Sequence, residues 1–406
     1  MVKFLSRYFF VVYIGIWVLY QLQDILLLKG MAAQLLLAVF MAMSLCMLCL
    51  VNIYYRTSPY VKWLNIMLVI LTIYGLVPIV GNYTFHKSNM GHMVSNYLYL
   101  QNIYKSVLPI YGFYYFTMKN RITPQNVNYI FLGLLIYCIL SYYQSFFLRT
   151  ELYDKSEVTN NTGYQFVPLI LMLYLLRIRD LWKYVFLIVI MGYVMMAMKR
   201  GAILTGSVAA VSYIAYRMRK ASRQQVIYVV GLSIASLYLV YQYVMNLYAT
   251  SSYFQVRLRR TLSGDSSGRD RIYLHYLDYF TDRSTGWEFL FGHGAAGTID
   301  IFGQWAHNDW LEFAINQGVF GILLYIVYWL VFGWEWWGYQ GQPDYKRALR
   351  DCIIVYFLVS LFSMSFNGMP LAAALCIGYC MAKNPRNRGF RIYPNESKEN
   401  PTGTGL

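Results

Sequence analysis

Apolar runs long enough to cross a membrane recur along this chain from its beginning almost to its end. Twelve can be counted, near residues 8–28, 31–53, 62–80, 98–117, 127–148, 163–176, 181–198, 201–216, 225–247, 308–333, 350–366 and 369–382. A transmembrane helix needs about 17–25 such residues, and one soluble core could not bury so many runs. Only 13% of the 406 residues are charged, against about 25% in soluble domains. The sequence therefore predicts an all-α polytopic membrane protein, with residues 1–406 forming one integral membrane domain.

Basic residues indicate how these runs are oriented. The chain has 34 Lys and Arg residues and a formal net charge of +16, and most of these cations occupy alternate connections between the runs. Because cytoplasmic connections are enriched in lysine and arginine, this distribution predicts that both termini lie in the cytoplasm. The longest hydrophilic segment, residues 248–307 between the ninth and tenth runs, is then external. The cations separate apolar segments instead of forming one patch, which argues against a nucleic-acid partner.

Several cations nevertheless fall on the predicted external side. They are Lys199 and Arg200 in the tight connection 197–202 (AMKRGA), and Arg257, Arg259, Arg260, Arg269 and Arg271 in the external segment. Membrane orientation does not require them there, and a planar guanidinium group can bind phosphate through two hydrogen bonds. The cluster favours an anionic ligand such as a lipid-linked pyrophosphate. For Arg259 and Arg271, solvated surface charges near acidic neighbours remain an equal alternative.

The external segment has local order of its own. Residues 272–280 place apolar side chains at helical spacing, so we expect an amphipathic helix on the membrane surface. Ser267 and Asp270 resemble its capping box, and Arg269 lies near its N-terminus, where an anion is favoured. Residues 292–297 read GHGAAG, a formal G-x-G-x-x-G motif. No βαβ unit surrounds this motif, so we expect a close-packed turn under residues 298–306 and not a dinucleotide site.

The approach to the tenth run carries the candidate acid–base chemistry. His307 precedes a helix whose expected N-cap is Asn308, with Asp309 and Glu312 in the first turn. A histidine at a helix N-terminus tends to stay neutral, and a neutral imidazole can act as a general base. Trp305 could stack on a sugar ring, although anchoring at the membrane interface is an equal alternative for it. The external segment has no Asp-x-Asp pair, so we expect no metal.

These residues carry a resemblance to a known family. His307 and Asn308, nine further residues, and then Gly318-Val-Phe-Gly321 form an H-N-x9-G-x-x-G pattern. This pattern is similar to that of the bacterial O-antigen ligase and O-antigen or capsule polymerase family. Four further features are similar to that family as well: the twelve runs, the large loop before the tenth run, the SGR of residues 267–269 and the KRG of residues 199–201. The motifs cover roughly residues 195–325.

The resemblance implies a function. Such proteins transfer a glycan from undecaprenyl pyrophosphate at the periplasmic face of the bacterial inner membrane, without metal or nucleotide cofactor. Arg200 and Arg269 would hold the pyrophosphate, and His307 would activate or position the acceptor hydroxyl. The further substrate-binding candidates are Lys199, Arg257, Arg260, Trp305 and Asn308. A chain-length regulator and a flippase of the same pathway would be partners.

Polymerase and ligase share this chemistry and differ in the acceptor. The R-x10-G pattern associated with polymerases occurs at Arg257…Gly268 and Arg283…Gly294, and the HNDWLE run and high tyrosine content resemble polysaccharide-cluster polymerases. We therefore expect a polymerase, with the ligase as the alternative. A transporter or lipid flippase is the alternative of another class, but the two halves of the chain differ and few ionisable residues, such as Asp24 and Lys105, fall inside the runs.

Overall fold

The computed structural model describes residues 2–23, 30–55, 57–76, 85–87, 93–152, 160–219, 222–250, 252, 255–256, 259 and 268–387. Its helices are α1 Val2–Gln21, α2 Met31–Tyr54, α3 Pro59–Leu76, α4 Asn96–Val107, α5 Pro109–Met118, α6 Pro124–Leu152, α7 Gly163–Met172, α8 Asp180–Met196, α9 Arg200–Met218, α10 Arg223–Thr250, α11 Arg269–Asp278, α12 Gly286–Phe291, α13 Gly297–Phe302, α14 Asp309–Trp337, α15 Pro343–Phe362 and α16 Leu371–Lys383. A π-helical turn covers Tyr279–Arg283 and a 3₁₀ turn covers Pro385–Asn387.

The expectation of helices alone needs one small correction. Strands β1 (Phe85–Lys87) and β2 (Met93–Ser95) pair antiparallel in the connection between α3 and α4. Phe85 pairs with Ser95, and Lys87 pairs with Met93. This two-stranded ribbon is too short to leave a periodic signal in the sequence. The described residues are otherwise helices, turns and irregular segments, so the architecture is that of a helical protein.

Four of the described helices are long and apolar enough to cross a membrane, judged by length and composition alone. They are α2, α3, the Pro124–Phe147 part of α6, and α14. Shorter apolar helices are found at Tyr8–Gln21, Gly163–Met172 and Leu371–Lys383. These helices support a membrane protein, whereas the expected count of twelve spans and the orientation of the termini stay predictions.

The fourth expected span, residues 98–117, is not one helix. It is divided into α4 and α5 at Pro109, which has no backbone N–H to continue the hydrogen-bonding ladder. Helix α5 is buried and packs closely on α16, because Gly378 lacks a side chain where the helices cross. A methyl group at Gly378 would lie 2.5 Å from the carbonyl oxygen of Ile110. The break therefore places the end of α4 inside the protein, where Ser106 contacts the segment between α15 and α16.

Helix α14 covers the expected span 308–333, but it folds back on itself within that span. Gly318 has non-helical dihedral angles, φ 68° and ψ −158°. Tyr325 donates a hydrogen bond of 2.9 Å to Asp309, and its ring stacks on Phe313 at 4.5 Å. Sixteen residues of straight helix would separate Asp309 from Tyr325 by about 24 Å. Residues 309–317 therefore form a short half-helix that returns alongside the long arm, residues 319–337.

Part of the apolar side of α11 packs on protein, while Leu274 and Leu277 stay exposed, so the expected placement on the membrane surface stays a prediction. Tyr276 is fully buried with Leu311 and Ile315 of the half-helix, and Ile272 and Phe280 pack around them. The capping prediction is wrong, since the N-cap is Gly268 in a left-handed conformation without a side-chain hydrogen bond. Ser267 lies outside the described residues. Helix α11 is thus anchored over the start of α14.

Opposite ends of the bundle differ in chemistry. At one end, Arg217 near the end of α9 lies 3.8 Å from Asp180 at the start of α8 and 3.9 Å from Asp344 at the start of α15. Tyr216 adds a hydrogen bond of 2.5 Å to Asp344. The other end contains the start of α9, the start of α14 and the end of α15. Three of the site candidates named from the sequence, Lys199, Arg269 and His307, lie there.

Candidate active site

A cavity of about 320 Å³ opens where the starts of α7, α9 and α14 meet helix α11 and the segment after α15. Its lining includes three of the cations and bases that the sequence singled out, namely Lys199, Arg269 and His307. The other lining residues are Asn161, Tyr164, Gln165, Val167, Val355, Tyr356, Val359, Ser363, Met364, Ser365, Gly368 and Pro370. The lining contains no Asp or Glu, so the described walls are electropositive.

His307 is held by its backbone, which leaves the ring free to face the cavity. Its φ of 52° is a left-handed conformation that few non-glycine residues adopt. Tyr273 of α11 donates a hydrogen bond of 3.2 Å to the His307 carbonyl oxygen. Such strain persists only where neighbours impose it, and it occurs often at functional sites.

Asn308 is the N-cap of α14, as predicted. Its Oδ1 accepts a hydrogen bond from the backbone N–H of Leu311 at 3.1 Å. Its Nδ2 donates to the Leu361 carbonyl oxygen at 2.8 Å. Both amide atoms are therefore engaged with protein, and the side chain ties the start of α14 to the end of α15. Asn308 positions His307, and it does not line the cavity.

The electrostatic environment keeps His307 neutral. The surrounding protein limits hydration of the ring, which lowers the pKa of His307 below its ordinary 6.5. The positive charges of Arg269 and Lys199 lower that pKa further, since a nearby cation disfavours a second positive charge. A neutral imidazole at pH 7 can accept a proton from a hydroxyl group.

Arg269 lies where the ends of two helices meet. It is the first residue of α11, and its Nη1 donates a hydrogen bond of 2.6 Å to the carbonyl oxygen of Phe362, the last residue of α15. The C-terminal carbonyl groups of a helix attract a cation. This contact fixes the guanidinium group at the cavity wall.

Lys199 and Arg200 begin α9 in a tightly packed hairpin. Lys199 is the N-cap residue and lines the cavity, and the preceding Met198 has a left-handed φ of 50°. The turn is held by the backbone N–H of Asn160, which donates to the Ala197 carbonyl oxygen at 3.0 Å. Arg200 is the first residue of the helix and is not among the cavity-lining residues, so its pyrophosphate contact stays a prediction.

The two acidic residues of the HNDWLE run, Asp309 and Glu312, stabilise the segments that form the cavity walls. Asp309 Oδ2 accepts backbone hydrogen bonds from Ser365 at 2.9 Å and Phe366 at 3.1 Å. Glu312 accepts bonds from the Ala306 N–H at 2.6 Å and from the Thr298 hydroxyl at 2.9 Å. Both carboxylates are buried. They fix the segments on either side of His307 and are not directed at a ligand.

The glycine-rich turn closes the break in α14. The backbone N–H of His293 donates to the Ile315 carbonyl oxygen at 2.8 Å, and that of Gly294 donates to the Asn316 carbonyl oxygen at 2.9 Å. These two carbonyl groups lack helical partners because the helix is broken at Gly318. The turn is close-packed, as expected. It supports the half-helix that carries His307 at its N-terminal end.

The remaining candidates that the structure describes lie outside the cavity lining. Trp305 packs partly buried against the hydrophobic core and does not line the cavity, so its sugar contact stays a prediction. Trp310 donates a hydrogen bond to Ser360 and packs on Tyr325. Arg257 and Arg260 lie outside the described residues. Among the described residues, no group of three His, Cys, Asp or Glu side chains could hold a metal ion.

Sequence reasoning missed part of the polar wall of the cavity. Ser363, Ser365, Gly368 and Pro370 lie in the irregular segment between α15 and α16, which was assigned mostly to two spans. The run SMSFNGMP at residues 363–370 contains an Asn-Gly pair and a proline, which are signals of a loop. Tyr164 and Gln165 had no such signal.

The chain was also compared with known proteins. No protein-family model matches it. No curated protein matches it significantly.

Proposed function

We propose that this protein is a membrane glycosyltransferase that polymerises lipid-linked oligosaccharide repeat units into O-antigen or a capsular polysaccharide. The donor would be a glycan on undecaprenyl pyrophosphate. The observation that carries the proposal is the shared cavity of His307, Arg269 and Lys199, in which a neutral base lies near two cations. This set suits the transfer of a sugar from a pyrophosphate leaving group to a hydroxyl group.

Each residue has a defined role in the proposed reaction. An acceptor hydroxyl attacks the anomeric carbon as its proton passes to the imidazole of His307. The bond between that carbon and the phosphate oxygen breaks, and undecaprenyl pyrophosphate leaves with the electron pair. Negative charge grows on the leaving oxygen, where the fixed charges of Arg269 and Lys199 stabilise it most. The walls supply this charge without reorganisation because Arg269 is already held by Phe362.

The proposed location follows from the distribution of charge along the chain. The chain would cross the bacterial inner membrane twelve times with both termini in the cytoplasm, and the cavity would face the periplasm. The ion-pair end formed by Asp180, Arg217 and Asp344 would lie at the cytoplasmic surface. A periplasmic enzyme has no sugar nucleotides, so a pre-activated lipid-linked donor is the chemistry such a cavity needs.

The test is reconstitution of the full-length protein in vesicles with an undecaprenyl-pyrophosphate-linked repeat unit. A polymerase should convert the single unit into a ladder of longer lipid-linked chains, and a chelator should not prevent this. In a deletion strain, lipid A–core should carry one repeat unit only, or capsule should be lost without free polymer.

Two other results would replace the proposal. Accumulation of long undecaprenyl-linked chains in the deletion strain would identify the ligase, which uses lipid A–core as the acceptor. Movement of the lipid-linked unit across the vesicle membrane, with no new glycosidic bond, would identify a flippase.

A further inference from the structure

A second cavity adjoins the one that contains His307. It has a volume of about 410 Å³, and Gln165, Gly368 and Pro370 line both cavities. Its other walls come from α1, α4 and α6 and from residues 367–372. The Ser106 hydroxyl, at the end of α4, donates a hydrogen bond of 2.8 Å to the Asn367 carbonyl oxygen. The break at Pro109 thus brings α4 to the same irregular segment that lines the first cavity.

The lining of the second cavity combines amide groups with aromatic rings. Gln23, Gln144, Gln165 and Asn367 contribute side-chain amides, which can both donate and accept hydrogen bonds. The buried amide oxygen of Gln165 has no hydrogen-bond partner among the described residues. Trp17 and Tyr137 pack edge to face at 5.9 Å in the same wall. Amides and aromatic rings together suit a ligand with hydroxyl groups on an apolar ring, which is the chemistry of a sugar.

Lys105 adds a positive charge to this wall. It lines the second cavity and also a more open depression that shares Tyr20 and Gln23 with it. Neither lining contains an Asp or Glu among the described residues, and no described acid forms a salt bridge with Lys105. A cation within a predicted span is costly unless an anion accompanies it. No described residue supplies this anion to Lys105, and a ligand can do so.

We infer that the second cavity binds a sugar of the transferred glycan that carries an acidic group, with Lys105 as its anion contact. The inference rests on the proposed function for the identity of the ligand. A uronic acid fits the lining, because its ring hydroxyl groups meet the amides and its carboxylate meets the ammonium group. The shared wall at Gln165 would then connect this sugar to the reaction at His307.

The experiment measures binding to the full-length protein in lipid nanodiscs by calorimetry. The probes are methyl glucuronide and methyl glucoside, which differ only in the carboxylate, and inorganic phosphate as the alternative anion. The glucuronide should bind at least about tenfold more tightly than the glucoside, as expected for a charge-assisted hydrogen bond. Lys105→Met should abolish that preference, Lys105→Arg should retain it, and Lys119→Met, on an exposed turn, should leave it unchanged.

Each other outcome overturns the inference. These outcomes are equal binding of the two sugars, no binding of either, or a preference that survives in Lys105→Met. If phosphate competes with the glucuronide and binds as tightly as the glucuronide does, the cavity is instead a site for phosphate groups. His307→Ala should lose transfer and keep the glucuronide preference. A wild-type protein that shows the preference but catalyses no transfer would therefore refute the proposed function and leave the acidic-sugar site standing.

Discussion

A methyl group on Gly318 would lie 2.6 Å from the backbone nitrogen of Gly292. This contact joins the break in α14 to the glycine-rich turn, and thereby sets the direction of the half-helix that follows His307. The G-x-x-G part of the H-N-x9-G-x-x-G pattern, which begins at Gly318, is therefore the elbow of a helical hairpin. It positions the cavity and does not touch it.

Gly318→Ala should be strongly destabilising. Alanine at φ 68° and ψ −158° is strained by about 1–3 kcal/mol, and its methyl group would lie 2.5 Å from the backbone of Leu290. We expect a lower unfolding temperature of the detergent-purified protein and lost transfer. Gly333→Ala, where nothing lies within 4 Å of the new methyl group, is the matched control and should be neutral or stabilising. Equal stability of the two variants would contradict the elbow.

His307→Ala and His307→Gln should each lower transfer by about 10²–10⁴-fold, because loss of a general base has that cost. The measurement is the initial rate of glycan transfer in vesicles at saturating donor. His275→Ala should have little effect, since that ring is exposed and contacts Phe302. Near-normal rates in His307→Gln would remove the imidazole from the chemistry and leave it a packing role.

Arg269→Ala should abolish transfer, and Arg269→Lys should restore little of it. A lysine offers a point charge, and it lacks the planar fork that can contact Phe362 and a phosphate together. Arg271→Ala is the control, because Arg271 lies on the exposed side of the same helix and does not line the cavity. Equal loss in both alanine variants would indicate a general electrostatic effect of α11 instead of a specific contact.

The activity should fall on acidification, with its midpoint below pH 6.5. The base must be neutral to act, and desolvation by the surrounding protein, together with the charges of Arg269 and Lys199, holds the pKa of His307 below 6.5. Lys199→Met removes one of these positive charges, so the pKa should rise and the acidic limb of kcat/KM should move to higher pH. A limb that moves to lower pH, or does not move, would contradict the electrostatic coupling.

The glycine-rich turn should loosen at low pH. Thr285 and His293 hydrogen-bond to Glu288, and these bonds outweigh the opposing effect of burial and hold the pKa of Glu288 below its ordinary 4.5. Such a carboxyl stabilises the fold above pH 4.5 and loses this effect as the pH falls through its folded pKa. At neutral pH, Glu288→Gln should speed hydrogen exchange of residues 292–297.

The control for the turn is Asp278→Asn, which removes an exposed pair with Arg283. It should not alter exchange of residues 292–297, because an exposed pair contributes little. The difference between Glu288→Gln and wild type should shrink as the pH falls below 4.5. A constant difference at all pH values would show that the glutamine acts by shape alone.

Much of the helical architecture and part of the site could be predicted from the sequence. Apolar runs report the solvation preference of each segment, and most described helices overlap an expected run, although one run is divided at Pro109 and another folds back at Gly318. The N-cap at Asn308 follows from local hydrogen bonding in the same way. Lys199, Arg269 and His307 were named from local chemistry, and the fold brings them to one cavity.

Contacts between distant segments could not be predicted in this way. The apolar pattern of residues 308–333 is the same for a straight helix and for a hairpin. Only the packing of Asp309 against Tyr325, and of Gly292 against Gly318, distinguishes the two. The apolar side of α11 could likewise have faced lipid or protein, since both environments accept the same side chains.

Polar residues inside the runs depended most on tertiary structure. Lys105 and Gln165 are isolated in the sequence, and they line one cavity only because α4 ends before Pro109 and α7 packs near residues 367–372. The periodicity of apolar residues shows whether a segment prefers apolar or polar surroundings. It carries no information on which neighbouring segment provides those surroundings. The cavities depend on those neighbours, because hydrogen bonds and steric fit act over a few ångströms between residues that are far apart in the chain.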